Sequence, residues 1–205
     1  MKLIIDRQAL SRHWQYCKWR YVALIAAAVL GWNLIFTVTA PQIPEDRQLQ
    51  LYVSATLGDE ELLGDDLEAL RQEKLPDQQQ IGCLMLLGDS YYGTMQLTAY
   101  LTNRQGDLYL LKAEDFQRYA ETGVFLPLED RTELMAACAG LDLSAGYAES
   151  DGATHLYGIP ADTLTGLSRY GIDPGGMVLC VTAEGGNTEN AVLLAQLLLE
   201  AWGSP

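Results

Sequence analysis

The stretch GDSYYG, residues 88–93, sets a carboxylate, a hydroxyl and two phenols on consecutive residues: Asp89, Ser90, Tyr91 and Tyr92. The first two can hold a polar solute by hydrogen bonds, and tyrosine rings can pack against a sugar face. Two smaller sets accompany it. Ser54 and Thr56 lie in the run LQLYVSATL (49–57), and Lys112 follows DLYLL (107–111). GDSYYG also reads as a polar turn, with Asp89 or Ser90 capping the helix that follows. Catalytic chemistry finds less support. His155 is the one histidine after residue 40. A Ser-His-Asp set drawn from Ser90 or Ser150 with His155 and Asp151 has no spacing behind it. No G-x-S-x-G, P-loop, G-x-G-x-x-G or H-E-x-x-H occurs. The acids of GDEELLGDD (58–66) lack the alternating Asp-x-Asp-x pattern of a calcium loop and read as a solvated helix face. No catalytic residue, metal ligand or cofactor is expected, and the protein is read as a non-enzyme.

The cysteines point the same way. Cys17, Cys83, Cys138 and Cys180 include no C-x-x-C pair, and Cys83 and Cys180 sit inside apolar runs. They are expected to be buried free thiols acting as small apolar residues, with no zinc site or disulfide framework.

Strands and helices must position the candidate residues, and the chain after residue 48 alternates between the two. Strands are expected at 49–57, 80–88, 107–111 and 177–184, with a short extended piece at 155–162. Helices are expected at 59–75 with Leu63, Leu67 and Leu70 inward, and at 91–103 with Met95, Ala99 and Thr102 on one side. Others follow at 113–123, with Phe116, Tyr119 and Ala120 inward and Gly123 as the stop, and at 131–141. The last, 187–202, starts from Asn187 as N-cap. The run IGCLMLLG reads as a strand covered on both sides. Repeated strand–helix units imply right-handed crossovers and a mainly parallel sheet flanked by helices. Ligands of such sheets sit beyond the carboxyl ends of the strands. That rule nominates Ser54, Thr56, Asp89, Ser90, Tyr91, Tyr92 and Lys112 as ligand-binding residues.

Charge divides the chain. Residues 1–40 carry Lys2, Arg7, Arg12, Lys18 and Arg20 against Asp6, a local +4; residues 41–205 carry eight Lys/Arg against 26 Asp/Glu, a local −18. So acidic a region repels phosphate backbones, and no nucleic-acid partner is expected. The uncharged run 21–40 is long enough to span a bilayer, with Lys18 and Arg20 at its edge and Trp14, Tyr16 and Trp19 as an aromatic collar. The positive-inside rule makes 1–20 a short cytoplasmic tail, 21–40 a signal anchor, 41–48 a linker and 49–205 an extracytoplasmic α/β domain in a single-pass membrane protein. A signal peptide cleaved after TVTA and a buried core helix are the two other readings of the run.

Several segments resemble a known family. DLYLL, then EDFQRYAETG, then FLPLED are similar to the first lobe of type 2 extracellular solute-binding proteins, the sugar- and peptide-binding subset of ABC importers. HLYGIPAD resembles the passage toward the hinge in that family, and VLCVTAEGGNTENAVLLAQLLLEAW resembles its late strand and helix. The resemblance implies a ligand cleft at strand ends and, with the absence of an Asn-x-Ser/Thr site, a bacterial source. The chain departs from the family in two ways. Fewer than 20 residues separate Pro160 from Met177, too few for a second lobe, and no lipid-anchor cysteine closes the apolar run. A single-lobe, membrane-anchored binding module follows, for sensing a small polar solute or contacting a membrane protein partner. An accessory structural subunit and a hydrolase on a flavodoxin-like sheet are the alternatives.

Overall fold

The computed structural model describes residues 7–39, 43–88, 90–150 and 152–203. The chain forms two compact units divided after Gln42. The first is one helix, α1 (Arg7–Thr39). Its 33 residues rise about 50 Å at 1.5 Å each. Within it, Lys18–Thr37 is long and apolar enough to cross a bilayer. The hydroxyls of Thr37 and Thr39 donate back to the carbonyls of Asn33 and Ile35 at 2.8 and 2.7 Å. They thus need no water. The helix is already formed within the basic end, while Ala40, Pro41 and Gln42 lie outside the described residues.

The second unit opens with a 3-10 turn, Glu45–Arg47, inside the expected linker, and runs straight into β1 (Gln48–Ser54). Then come α2 (Glu60–Lys74), β2 (Gln80–Leu86), α3 (Tyr91–Thr102), β3 (Leu108–Lys112), α4 (Ala113–Ala120) and α5 (Thr132–Ala137). A hairpin, β4 (Tyr147–Ser150) and β5 (Ala153–Leu156), precedes β6 (Gly158–Pro160), a 3-10 segment (Thr165–Tyr170), β7 (Met177–Val181) and α6 (Thr188–Trp202). The five-stranded sheet has the order β2-β1-β3-β7-β6. β1 is parallel to β2 and β3, and β7 runs antiparallel to both β3 and β6. Four strands therefore share one direction and β7 opposes them, a mixed and mostly parallel sheet.

Alternation along the strands builds a core on each face. Leu49, Leu51 and Val53 of β1 pack with Leu63 and Leu67 of α2 and Leu194 and Leu198 of α6. Tyr52, Tyr109 and Leu111 pack on the other face with Phe116 of α4 and Phe125. Asp59 caps α2 by accepting from the Leu62 N–H at 3.0 Å, and Gly123, at φ +70°, ends the α4 region.

Three expectations are corrected. β2 is an edge strand with half-buried middle residues. α3 buries Gly93, Leu97 and Leu101, whereas Met95 is exposed. Gly93 sets that face, because a Cβ there would lie 1.9 Å from the Leu87 carbonyl oxygen. Finally, Asn187 sits at the start of α6 without a side-chain cap bond. Its amide instead donates to Gln78 Oε1 at 2.8 Å and to the Gln48 carbonyl at 3.2 Å, tying α6 to the sheet.

Candidate functional site

Where β1 and β3 end, the chain leaves a cleft of about 640 Å³. β1 supplies Ser54 and the segment after it, Ala55–Leu57. The junction of β3 and α4 supplies Lys112, Ala113 and Glu114, and the loop before β7 supplies Gly171, Asp173, Gly175 and Gly176. Strong local bonds hold that loop. The Asp59 N–H donates to the Tyr170 carbonyl at 2.8 Å, Ala113 N–H to the Gly176 carbonyl at 2.9 Å, and Gly176 N–H to Asp162 Oδ1 at 3.1 Å. Gly171 turns the chain at φ +73°, a conformation that glycine adopts without strain.

The wall is chemically mixed. It carries the hydroxyls of Ser54 and Thr56, the Lys112 ammonium and the carboxylates of Glu114 and Asp173. Such a set can donate to and accept from a polyhydroxylated or zwitterionic solute. No histidine is among the described lining residues.

Three of the nominated residues, Ser54, Thr56 and Lys112, converge here. Ser54 is buried and ends β1, Thr56 is exposed, and half-buried Lys112 stands at the N-cap position of α4. The remaining candidates are placed elsewhere. Ser90 caps α3: its Oγ accepts from the Gly93 N–H at 2.9 Å and donates to the Leu87 carbonyl at 3.0 Å. Tyr91 and Tyr92 point to solvent, 76% and 79% exposed, with their rings edge to face at 5.9 Å. None of the three lines the cleft. Asp89 lies outside the described residues. The two regions meet at Gly88, where an added Cβ would come within 2.6 Å of Ser54 Oγ. Glu114, Asp173 and the glycines of GIDPGG were missed. The sequence shows GIDPGG only as a turn, and nothing in it says which strand end the turn will face.

Among the described residues, the imagined triad has no support. In the hairpin, Ser150 pairs with Ala153 and His155 with Ala148. His155 Nδ1 lies 3.2 Å from Glu129 Oε1, and Ser150 Oγ donates to the Glu121 carbonyl at 3.4 Å; Asp151 is outside the described residues. Cys83, Cys138 and Cys180 are free thiols, Cys83 only partly buried. Burial pushes Cys83 up to about 12 and Cys138 up to about 11, so both stay protonated and unreactive at neutral pH. The buried Cys180 thiol donates to the Tyr109 carbonyl at 3.4 Å.

No protein-family model matches the chain, and no curated protein matches it. Among solved structures, part of the chain is similar to family 1 extracellular solute-binding proteins of the ABC type. One, from Alicyclobacillus acidocaldarius, is 19% identical over 59% of this chain and 29% of its own, at a TM-score of 0.46. The N-glycan transport solute-binding protein of Streptococcus pneumoniae is 16% identical over 63% and 30%, at 0.43. An ABC substrate-binding protein of Listeria monocytogenes, in complex with cycloalternan, is 20% identical over 54% and 28%, at 0.38. The chain thus spans under a third of the length of these proteins. At such scores the likeness describes partial shape and carries no argument about ligand.

Proposed function

We propose that this chain is a membrane-anchored binding module that takes a small polar solute at the carboxyl ends of β1 and β3. The observation that carries this reading is the convergence of two hydroxyls, one ammonium and two carboxylates on a cleft of about 640 Å³. In that reading α1 is a signal anchor, with the basic end cytoplasmic and the acidic α/β unit outside the cell. The unit binds rather than catalyses. Thermal unfolding of the full chain in detergent, against sugars, amino acids and short peptides, tests it. A solute bound only by the native state raises the midpoint, with roughly 2.7 kcal/mol of added stability at a hundredfold excess over Kd. The expected result is a shift from one solute class that Lys112→Ala removes. No shift across the panel overturns the reading.

A second reading has its own support. Leu57, Leu87, Tyr91, Tyr92 and Met95 are all more than half exposed at or near the carboxyl ends of β1 and β2. Apolar exposure of that kind suits contact with a partner protein. Photo-crosslinking from position 92 in cells, compared with position 147, separates the two readings.

A further inference from the structure

The opposite end of the sheet holds another cavity, of about 520 Å³. Gln48, Gln50 and Tyr52, on one face of β1, form its floor. The segment from Asn103 to Asp107 and the glycines Gly185 and Gly186 form its mouth. Asp107, at the head of β3, is buried in this wall. Its Oδ2 accepts the Gln50 N–H at 2.8 Å. No ion pair among the described residues reaches it: the nearby Arg104 pairs with Glu184 instead. Buried carboxylates are ordinarily matched by a cation, and here the match is missing from the protein's own side chains.

Two backbone features keep the place open. A Cβ on Gly185 would come within 3.1 Å of both Asp107 Oδ1 and Thr182 Oγ1, so the glycine leaves the second carboxylate oxygen accessible. Arg104 adopts φ +54° just past α3, where glycine or asparagine is the usual residue. The strained arginine holds its guanidinium on Glu184, from the loop after β7, and Arg104 itself belongs to the rim of the mouth. Strain kept beside a cavity is a common mark of a working site.

The lining selects the ligand. The Tyr52 ring is already stacked on Tyr100 and Tyr109, at 4.7 and 5.0 Å, so it is not a free platform for a sugar. Among the described residues no three His, Cys, Asp or Glu side chains gather to hold a metal ion. What remains is a carboxylate in a cavity also lined by the amide-bearing residues Gln48, Gln50, Asn103 and Gln105, in a unit with a large excess of acids that concentrates cations around it. We propose that this cavity binds a small organic ammonium ion, whose N–H groups donate to Asp107 and to the neighbouring amide carbonyls.

The site has its own pH signature. Burial pushes the Asp107 carboxyl up to about 6, with the Gln50 N–H bond opposing. The charged and titratable groups around it are Tyr52 on β1, Tyr109 on β3, Arg104 after α3 and Glu184 after β7. Burial raises both tyrosines, which stay neutral, and Arg104 pairs with Glu184. Affinity therefore follows Asp107 and falls about tenfold from pH 7.5 to pH 5, where some nine-tenths of a group with that pKa is protonated.

The test is calorimetric titration of the full chain in detergent with ethanolammonium chloride, with potassium chloride and sorbitol as controls. The expected result is saturable binding of the ammonium ion alone, about tenfold weaker at pH 5. Asp107→Asn, which keeps an acceptor for Gln50, abolishes it. Gly185→Ala, which crowds Oδ1, weakens it and carries the test if the first variant does not fold. Ser54→Ala and Lys112→Ala leave it unchanged, which separates this site from the carboxyl-end cleft. Absence of saturable binding, equal binding of potassium or sorbitol, or full binding by Asp107→Asn overturns the proposal.

Discussion

The two ends of the central sheet are made by the same strands, yet they handle charge in opposite ways. At the carboxyl end, Lys112, Glu114 and Asp173 stand around an open cleft, and both signs of charge meet water. At the amino end, Asp107 is drawn into the wall without a cation, and Arg104 on the rim pairs with Glu184. The glycines differ in kind as well. Gly106, at φ +84°, lies so close to Tyr52 that a Cβ would be 2.2 Å from the ring, whereas Gly176, at φ +68°, has nothing within 4 Å. One end is an open rim, with space beside Gly176. The other is packed tightly around a group that lowers stability at neutral pH, and a fold retains such a group more readily when the group has a use.

The largest effect expected from this contrast lies in those two glycines. Gly106→Ala combines left-handed strain with overpacking against Tyr52 and should cost about 3 kcal/mol. Gly176→Ala meets only the strain and should cost about 1 kcal/mol. Urea unfolding of both variants measures the gap, and equal losses would break the comparison.

Asp107→Asn comes next. The folded carboxyl titrates at about 6, above the value of about 3.9 for an unfolded aspartate. The native state therefore holds its proton more tightly between roughly pH 4 and 6. Stability from this group is present below that window, is lost as pH rises through it, and stays flat above. The asparagine variant should be more stable than the parent by about 2 kcal/mol at pH 7.5 and indistinguishable from it at pH 4. Midpoints followed across pH check the sign, and a variant less stable at both would contradict it.

Smaller changes are expected at the carboxyl end. Ser54→Ala and Lys112→Ala should shift stability by about 1 kcal/mol or less while removing the solute-induced rise in midpoint. Tyr91→Ala and Tyr92→Ala should stay within about 0.5 kcal/mol and leave that rise intact, since both rings are in solvent away from the cleft.

Much of the scaffold was legible because its periodicities are strong. The strand at β1, the 63/67 stripe of α2 and the inward Phe116 and Ala120 of α4 were all read from the sequence, and Leu63, Leu67, Phe116 and Ala120 are buried. The face of α3 was not, because Gly93 decides it through its close approach to the Leu87 carbonyl in the turn before the helix. The β4–β5 hairpin escaped notice because YAES and ATHL are short and partly polar. The continuous apolar run of β2 gave no sign that the strand lies at an edge. The rule that ligands gather at carboxyl ends led to Ser54, Thr56 and Lys112 but also to Ser90, whose hydroxyl is committed to capping α3. The same rule directed attention away from Asp107, which in sequence is only the polar residue before an apolar strand.

Hydrogen–deuterium exchange of the full chain tests the central claim most directly, run with and without whichever solute raises the unfolding midpoint. The account predicts protection at residues 54–57, 112–114 and 171–177, with residues 103–107 and 185–186 unchanged. Protection confined to the amino end, or to the α3 surface around Tyr91 and Tyr92, would contradict it.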